Sequence, residues 1–355
     1  MVKDNQSVHI CGWNATGKGV VMKLLDGHPQ LAVMPFHDSL ASALSQIDDP
    51  DEFRNSTDPS VFDIGAFYKS VARSNCRYHL IQASNHGRPL RLTASVDNPQ
   101  GESFENFDFY KFENDWVSRV NAKEEFLPKE IILEIYHSFF THWERYPYDS
   151  EKCKYFVGLE GRDIEGIRFI LEEMENSKVI FMTRDPRGCV ASKGNKDISG
   201  SNVIEYLKRG KIHEISKLNE RVRALSEEYP NKIQILSFED VILNTDSSVE
   251  VIRDFLNIEE DKILSRPTVC GSELQDVNYL GEINDRWEDL LTDREIDIAN
   301  LQMGESGIFD VSPSVWPGYA KMELMWRMEK YVEAIGINPL AKKVRDRIIG
   351  SKFYP

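Results

Sequence analysis

Residues 9–29 read HICGWNATGKGVVMKLLDGHP and pass from a short apolar run through a glycine-rich loop into a helix-like stretch. A strand that ends at Gly12, a loop with Gly17 and Gly19, and a helix that begins near Lys18 direct backbone N–H groups and the positive end of a helix dipole at one point. Such a point binds a phosphate or sulfate group. The stretch therefore predicts an α/β fold with an anion site after its first strand, and Lys18 is expected to supply a positive charge there.

The spacing of Gly12, Gly17 and Lys18 also satisfies the first seven positions of a Walker A loop. The eighth position holds Gly19, where ATP-dependent kinases and hydrolases carry the Ser or Thr hydroxyl that binds Mg²⁺. An ATP-dependent P-loop kinase stays an alternative function, and a tight turn without a ligand stays the alternative structure. No metal site is expected.

A second motif, KVIFMTRDPRGCVASKGN, covers residues 178–195. Its buried strand ends at Arg184, and Asp185 with Pro186 starts a helix on which Ser192 lies two turns later. Ligands of open α/β sheets bind at the carboxyl ends of the strands, so Arg184 and Ser192 are expected to converge on one phosphate. The alternative is an arginine paired with Asp185 and a serine on an exposed helix face.

Short apolar runs alternate with helix-like stretches along the chain, which predicts a three-layer α/β sandwich around a central, mostly parallel sheet, P-loop-like in type. The predicted strands are Val8–Cys11, Leu31–Met34, Tyr155–Leu159, Lys178–Met182 and Ile233–Leu236, and a helix is predicted over Ile164–Met174. Residues 1–310 are assigned to this domain. Residues 311–355 are assigned to a helical tail with a helix over Tyr319–Ala334 and a short basic end.

Residues from about 38 to about 150 break the alternating rhythm and are predicted to form an insertion that caps the acceptor side. Within it, residues 77–96 predict a hairpin. Residues 104–148 hold 13 of the 37 aromatic residues of the chain, a density that predicts a small second core. Some of these rings are also expected to line an acceptor pocket.

Composition narrows the function classes. The chain has 355 residues, with 43 Lys and Arg against 58 Asp and Glu, and its net charge of −15 disfavours nucleic acid as the main partner. Five scattered cysteines without a C-x-x-C pair argue against a disulfide framework and a zinc site. No apolar run reaches the length of a membrane span and no signal segment is visible, so a cytoplasmic protein is expected.

Four stretches, in this order, resemble the sulfotransferases that use 3′-phosphoadenosine 5′-phosphosulfate (PAPS). They are GWNATGKGVVMKLLDGHPQLAV (12–33), FMTRDPRGCVAS (181–192), ILSFEDVILNTDSSVEVIRDFLNI (235–258) and INDRWEDLLTDREI (283–296). The resemblance implies transfer of a sulfuryl group by in-line displacement to a hydroxyl of a carbohydrate or other small-molecule acceptor, with 3′,5′-adenosine bisphosphate (PAP) as the leaving product. It also implies that Arg184 and Ser192 bind the 3′-phosphate. The resemblance further implies that the 5′-phosphosulfate is bound by the loop residues Ala15, Thr16, Gly17, Lys18, Gly19 and Val20.

The loop departs from the family pattern at one position. The family usually has Lys or Arg where this chain has Ala15, and a lysine appears here three residues later, at Lys18. We expect Lys18 to reach the same sulfuryl oxygens and act in catalysis. A catalytically weakened nucleotide-binding module is the alternative.

The resemblance also implies a general base, His or Glu, near the end of the second strand or on the strand before the 3′-phosphate element. His37, directly after the second strand, is the first choice. Glu160 and Asp163 are the alternatives, and Arg162 between them is instead a candidate for holding an anionic substrate. The alternative for all of these positions is that they are solvated loop residues. The remaining histidines considered are expected to be structural: His28, His86, His137 and His142.

The expected partner is a small-molecule or glycan acceptor, with neither nucleic acid nor an integral membrane segment. For a polyanionic glycan, a local basic patch of Arg88, Arg91 and Arg162 would have to offset the negative charge of the chain. A homodimer is left open.

Overall fold

A computed structural model of the chain describes residues 6–45, 54–55, 58–63, 67, 107–123, 127–143, 146, 148–161, 163–196, 203–269, 271–274, 280–281, 283 and 286–304. The chain divides into two compact units, one made of residues 1–184 and 218–284 and the other of residues 185–217 together with those from 285 onward. The predicted hairpin over 77–96 and the predicted helix over 319–334 lie outside the described residues. The division into residues 1–310 and 311–355 stays a prediction.

The first unit contains a five-stranded sheet. Its strands are β1 (Gln6–Gly12), β2 (Leu31–Val33), β5 (Tyr155–Leu159), β6 (Lys178–Thr183) and β7 (Ile233–Ser237), in the order β2-β5-β1-β6-β7. All neighbouring pairs are parallel. The predicted α/β class and all five predicted strands are therefore confirmed. Because the strands are parallel, the segments that follow them lie at one common edge of the sheet, where ligands of such sheets bind.

The remaining elements connect or flank these strands. The helices are α1 (Lys18–Leu25), α2 (Leu40–Leu44), α3 (Phe109–Asn121), α4 (Pro128–Thr141), α5 (Ile164–Glu173), α6 (Pro186–Lys196), α7 (Val203–Lys208), α8 (Lys211–Glu228), α9 (Phe238–Leu243), α10 (Thr245–Leu256), α11 (Trp287–Leu290) and α12 (Asp293–Met303). Two short antiparallel pairs join β3 (Arg54–Asn55) to β4 (Asp58–Phe62) and β8 (Thr268–Val269) to β9 (Ser272–Glu273). In the described part of the chain, no helix combines the length and the apolar character needed to cross a membrane.

Apolar side chains of α1 and α10 pack on the sheet and form the main core of the first unit. Val21 and Leu24 of α1, Ile252 of α10 and Ile10 of β1 are all less than 2% exposed and belong to one cluster. Each such side chain contributes about 1.5–3 kcal/mol by leaving water. This packing fixes where α1 begins and so where the loop before it lies.

The aromatic residues of the insertion form a second core. Trp116, Tyr136 and Phe140 are almost fully buried, and the ring of Phe140 stacks on that of Phe156 in β5 with centroids 6.0 Å apart. Many further ring pairs join α3, α4 and β5 in the same cluster. The predicted second core is confirmed for the described rings. A pocket lined by these rings stays a prediction.

The second unit contains α6, α7, the first part of α8, α11 and α12. The guanidinium of Arg187 lies 4.1 Å over the ring of Trp287 and donates a 3.0 Å hydrogen bond to Asn300. Thr292 and Glu295 form a capping box at the start of α12. The two contacts of Arg187 join α6 to the two last described helices.

Candidate functional site

The loop between β1 and α1, residues 12–17, is called the anion loop after its predicted role, and it contains residues with positive φ. Gly12, Ala15 and Gly17 have φ values of 142°, 65° and 83°. A Cβ on Gly12 would lie 2.5 Å from the carbonyl oxygen of Met182 on β6, so only glycine fits there. Ala15 holds a left-handed conformation that is costly for a residue with a Cβ. Residues in the left-handed conformation next to residues in the right-handed one turn successive N–H groups toward one side. Such an arrangement is called an anion-binding nest.

The other predicted loop residues are partly used by the loop itself. The Thr16 hydroxyl donates to the carbonyl of Trp13 at 2.8 Å, and the Val20 N–H donates to the carbonyl of Gly17 at 2.9 Å. A Cβ on Gly19 would meet no atom within 4 Å. Open space therefore adjoins the first turn of α1 at the position where a Walker A loop carries its hydroxyl.

The Lys18 ammonium lies inside the protein, at the ends of β1 and β5. The residue is 5% exposed, and Nζ donates 2.8 Å hydrogen bonds to the carbonyl oxygens of Gly12 and Glu160. Its positive charge is thus held at the carboxyl edge of the sheet, directly after the strand that precedes the loop. Contact with a sulfuryl group stays a prediction.

Arg184 connects the end of β6 to the same loop. It is 8% exposed, and its Nη1 donates to the carbonyl oxygen of Ala15 at 3.0 Å. Its guanidinium carbon lies 4.1 Å over the ring of Phe238, the first residue of α9. The structure therefore brings together two parts of the predicted site, the anion loop and Arg184, and adds an aromatic ring from the β7–α9 junction.

Ser192 lies on α6, which belongs to the second unit. Arg184 belongs to the first unit, which it ends at this point of the chain. Ser192 is buried and not on an exposed helix face. Asp185 pairs with Arg187 at 2.7 Å and accepts from the N–H of Arg187 at 2.8 Å, so it caps α6 as predicted. The meeting of Arg184 and Ser192 on one phosphate stays a prediction.

The three candidate bases occupy different environments. His37 is half-buried in the segment between β2 and α2. Glu160 is 2% exposed and accepts from the N–H of Ala41 at 2.8 Å and from the Ser42 hydroxyl at 3.2 Å, so it holds the start of α2. Asp163 accepts from the N–H of Glu165 at 3.2 Å and caps α5. Arg162 lies outside the described residues.

His9 faces Glu160 inside the sheet and changes its acidity. Nδ1 of His9 lies 3.6 Å from Oε1 of Glu160. Burial alone would raise the pKa of Glu160, but His9 and the N–H groups of Ala41 and Ser42 outweigh burial and hold this pKa below its ordinary value. Glu160 is therefore ionised although it is buried, and both of its carboxylate oxygens accept hydrogen bonds.

A polar cluster around this pair was not predicted. Asp38 is fully buried, and the Tyr136 hydroxyl donates to it at 2.6 Å. Burial, and then the charge of Glu160, raise the pKa of Asp38 well above its ordinary value. On the other side, His9 bonds to the Ser7 hydroxyl at 2.9 Å, which bonds to that of Ser177 at 2.5 Å. The alternation of Ser7 and His9 within a strand buried on both faces is the sequence signal for this cluster.

The histidines expected to be structural have structural contacts where they are described. His28 joins Glu259 and the N–H of Gln30, each at 3.1 Å, in the turn after α1. His137 bonds to the Tyr148 hydroxyl at 2.9 Å, and His142 lies 3.3 Å from Asp115. His86 lies outside the described residues.

Comparison with known protein families gives one match. Residues 8–262 match the sequence profile described as the sulfotransferase family. The matched range contains the anion loop, Arg184 and the β7–α9 junction, and ends before the resembling stretch at 283–296. No curated protein matches the chain.

Solved structures similar to this chain are also sulfotransferases. The sulfotransferase domain of the Synechococcus PCC 7002 olefin synthase matches with a TM-score of 0.51 at 14% identity, covering 85% of this chain and 97% of that one. The sulfotransferase domain of the curacin biosynthetic pathway has a TM-score of 0.47 at 12% identity, with coverage of 84% and 98%. Sulfotransferase STF9 from Mycobacterium avium has a TM-score of 0.42 at 11% identity, with coverage of 85% and 76%. At such identities a likeness bears on the fold, and the first of these agrees with the α/β class.

Proposed function

The chain is a member of the sulfotransferase family, and from that premise we propose that it transfers a sulfuryl group from PAPS to a hydroxyl of a carbohydrate or another small molecule. The family and the fold support sulfuryl transfer in general. The observation that carries the choice of donor is the 3.0 Å hydrogen bond from Arg184 to the carbonyl of Ala15, since it joins an arginine suited to a second phosphate to the anion loop.

The residues present fit such a donor. The nest formed by Ala15 and Gly17 would hold the 5′-phosphosulfate, and the open space beside Gly19 leaves room at the start of α1. The Arg184 guanidinium would hold the 3′-phosphate as a forked, charged donor. Bound PAPS supplies the sulfuryl group and a bisphosphate leaving group. Ser192 as a further ligand of the 3′-phosphate stays a prediction.

Most of the catalysis falls to charge stabilisation and positioning. Charge develops on the transferred group and on the leaving phosphate, and fixed N–H groups of the loop stabilise it without reorganising. Lys18 lies at the first turn of α1, and two backbone carbonyls hold its ammonium. Its positive charge therefore acts on the loop from a fixed position inside the protein. In this arrangement Lys18 takes over the electrostatic role of the basic residue that Ala15 replaces.

His37 is our choice for the general base. Both oxygens of Glu160 already accept hydrogen bonds from α2, and the side chain is almost fully buried, which assigns Glu160 to holding the segment and not to an acceptor hydroxyl. The N–H of Asp38, next to His37, donates to the carbonyl of Leu159 at 3.2 Å. This bond keeps the His37 segment at the carboxyl edge of β5, where an imidazole can take a proton at neutral pH.

A second candidate, a nucleotide-binding module without efficient turnover, is favoured by one observation. Ala15 carries no charge, and the Lys18 ammonium is bound by two backbone carbonyls. In this case the protein binds PAP and PAPS with similar affinity and transfers nothing.

Calorimetric titration with PAP, with ATP plus Mg²⁺ as the comparison, tests the donor. Micromolar binding of PAP without metal is the expected result. Binding of ATP plus Mg²⁺ in place of PAP would overturn the proposal and favour a P-loop kinase. Release of PAP from PAPS is then followed over a panel of carbohydrate and small-molecule hydroxyl acceptors. Turnover with any of them excludes the binding module, and His37→Gln should abolish it while the control His137→Gln does not.

A further inference from the structure

Phe238 lies at the junction of β7 and α9, as the first residue of α9. Ser237 caps α9, since its hydroxyl accepts from the N–H of Asp240 at 3.0 Å and donates to the carboxylate of Asp240 at 2.8 Å. Phe238 is the residue that follows this cap, and its side chain is half-buried. The cap therefore holds the backbone from which the ring extends.

The ring packs against the anion loop. A Cβ on Gly17 would overlap the Cδ2 atom of Phe238. Gly17 has a φ of 83°, so glycine is required there both by its conformation and by the approach of the ring. The loop and the ring thus limit each other's positions.

The same ring supports Arg184. The guanidinium carbon lies 4.1 Å from the ring centroid, and Nη1 bonds to Ala15 at 3.0 Å. This bond uses only one of the N–H groups of the guanidinium, which all lie in one plane. Stacking on one face and a hydrogen bond at one edge fix the plane of the guanidinium. An arginine without such contacts loses rotamer freedom when it binds a ligand, and this loss weakens binding.

The segments that follow three neighbouring strands bring the loop, the arginine and the ring together. The order β1-β6-β7 in the sheet brings the β1–α1 loop, the end of β6 and the start of α9 side by side. Ala15, Arg184, Phe238 and Gly17 then form a closed ring of contacts.

We infer that Phe238 is a positioning residue that orients Arg184 for the second phosphate of the donor and so sets the preference for a 3′-phosphorylated nucleotide. This inference rests on the proposed function. A ring that only fills space would stabilise the fold without favouring PAP over 5′-AMP.

A double-mutant cycle with PAP and 5′-AMP as probes tests the inference. The proteins are wild type, Phe238→Leu, Arg184→Ala and the double variant, with dissociation constants from calorimetry. Phe238→Leu should reduce the preference for PAP about fivefold, a typical value for an arginine–aromatic contact. With Arg184→Ala already present, it should change PAP affinity less than about twofold. Equal factors in both backgrounds would overturn the inference.

A second variant keeps the shape of the ring. Pentafluorophenylalanine at position 238 keeps an aromatic ring against Gly17 but reverses the negative electrostatic potential of the ring face, so it should weaken the preference in the same direction. PAP binding equal to that of wild type would also contradict the inference. This variant serves as well if Phe238→Leu does not fold.

Phe255→Leu is the matched control. The Lys178 ammonium lies 4.6 Å over the Phe255 ring, so the variant removes a comparable cation–ring contact outside the anion loop. It should leave the preference for PAP unchanged. A wild-type protein that binds PAP no more tightly than 5′-AMP would count against the proposed function itself, whereas a preference that Phe238→Leu leaves intact would count against Phe238 alone.

Discussion

Oε1 of Glu160 lies 3.6 Å from Nδ1 of His9, and both side chains are almost completely buried. His9 lies on β1, and Glu160 directly follows the adjacent strand β5. The carboxylate of Glu160 also accepts hydrogen bonds from the N–H groups at the start of α2. The pair therefore links the central strand of the sheet to the segment that carries His37.

Glu160→Gln should lower the free energy of unfolding by about 2 kcal/mol at neutral pH, because the amide replaces one accepting oxygen with an NH2 group that faces the donors of α2. The folded pKa of Glu160 lies below its ordinary value of 4.5, so its contribution is complete above that pH and is lost as pH falls through the folded pKa. Urea denaturation measures both effects. Glu250→Gln, at an exposed position of α10, is the control and should change stability by less than about 0.5 kcal/mol. Equal losses in the two variants would contradict this assignment.

Asp38→Asn should show the opposite pH dependence. Burial, followed by the charge of Glu160, raises the folded pKa of Asp38 above its ordinary value of 3.8. Above that ordinary value and up to the folded pKa, the native state keeps a proton that the unfolded state has lost, so wild-type stability falls relative to the variant as pH rises. The difference in unfolding free energy between the two proteins should change in favour of the variant by at most about 1.4 kcal/mol per pH unit. Unfolding curves from about pH 5 to about pH 8 check this, and parallel pH profiles would count against a protonated Asp38.

Gly12→Ala and Gly19→Ala form a matched pair within one loop. A Cβ on Gly12 would lie 2.5 Å from the Met182 carbonyl at a φ of 142°, whereas one on Gly19 meets nothing within 4 Å. Gly12→Ala should therefore cost about 3 kcal/mol, and Gly19→Ala should gain about 0.5 kcal/mol through helix propensity. Thermal and urea unfolding measure both. A stable Gly12→Ala variant would show that β1 and β6 do not approach as closely as described.

The sequence predicts the strands well and the contacts between them poorly. β5 is a short apolar run buried on both faces, and the apolar run predicts its bounds, Tyr155–Leu159. The loop glycines and Arg184 were predicted because anion binding demands those residue types. The contact of Phe238 with Arg184 depends on the order of three strands, which no local pattern encodes. Asp38 was missed for a similar reason, since its partner Tyr136 lies 98 positions away.

Arg184→Ala should weaken PAP binding by about 2 kcal/mol or more, because a charged hydrogen bond to phosphate is lost. Binding of 5′-AMP should change much less. Arg253→Ala, on α10, removes a half-buried arginine that pairs with the exposed Asp254 and should leave both affinities unchanged. Calorimetry measures the four constants. Undiminished PAP affinity in Arg184→Ala would place the 3′-phosphate elsewhere.

Lys18→Met tests whether the buried ammonium serves the fold, the reaction or both. Two carbonyls, of Gly12 and Glu160, lose their donor, so the free energy of unfolding should fall by about 2 kcal/mol. If the charge also stabilises the transition state, kcat for PAP release from PAPS should fall by a larger factor than PAP affinity. Lys152→Met, at a position 68% exposed, should alter neither. Equal losses of kcat and affinity would reduce Lys18 to an anchor of the loop, and turnover at the wild-type rate in a folded Lys18→Met protein would leave the loop N–H groups as the main source of charge stabilisation.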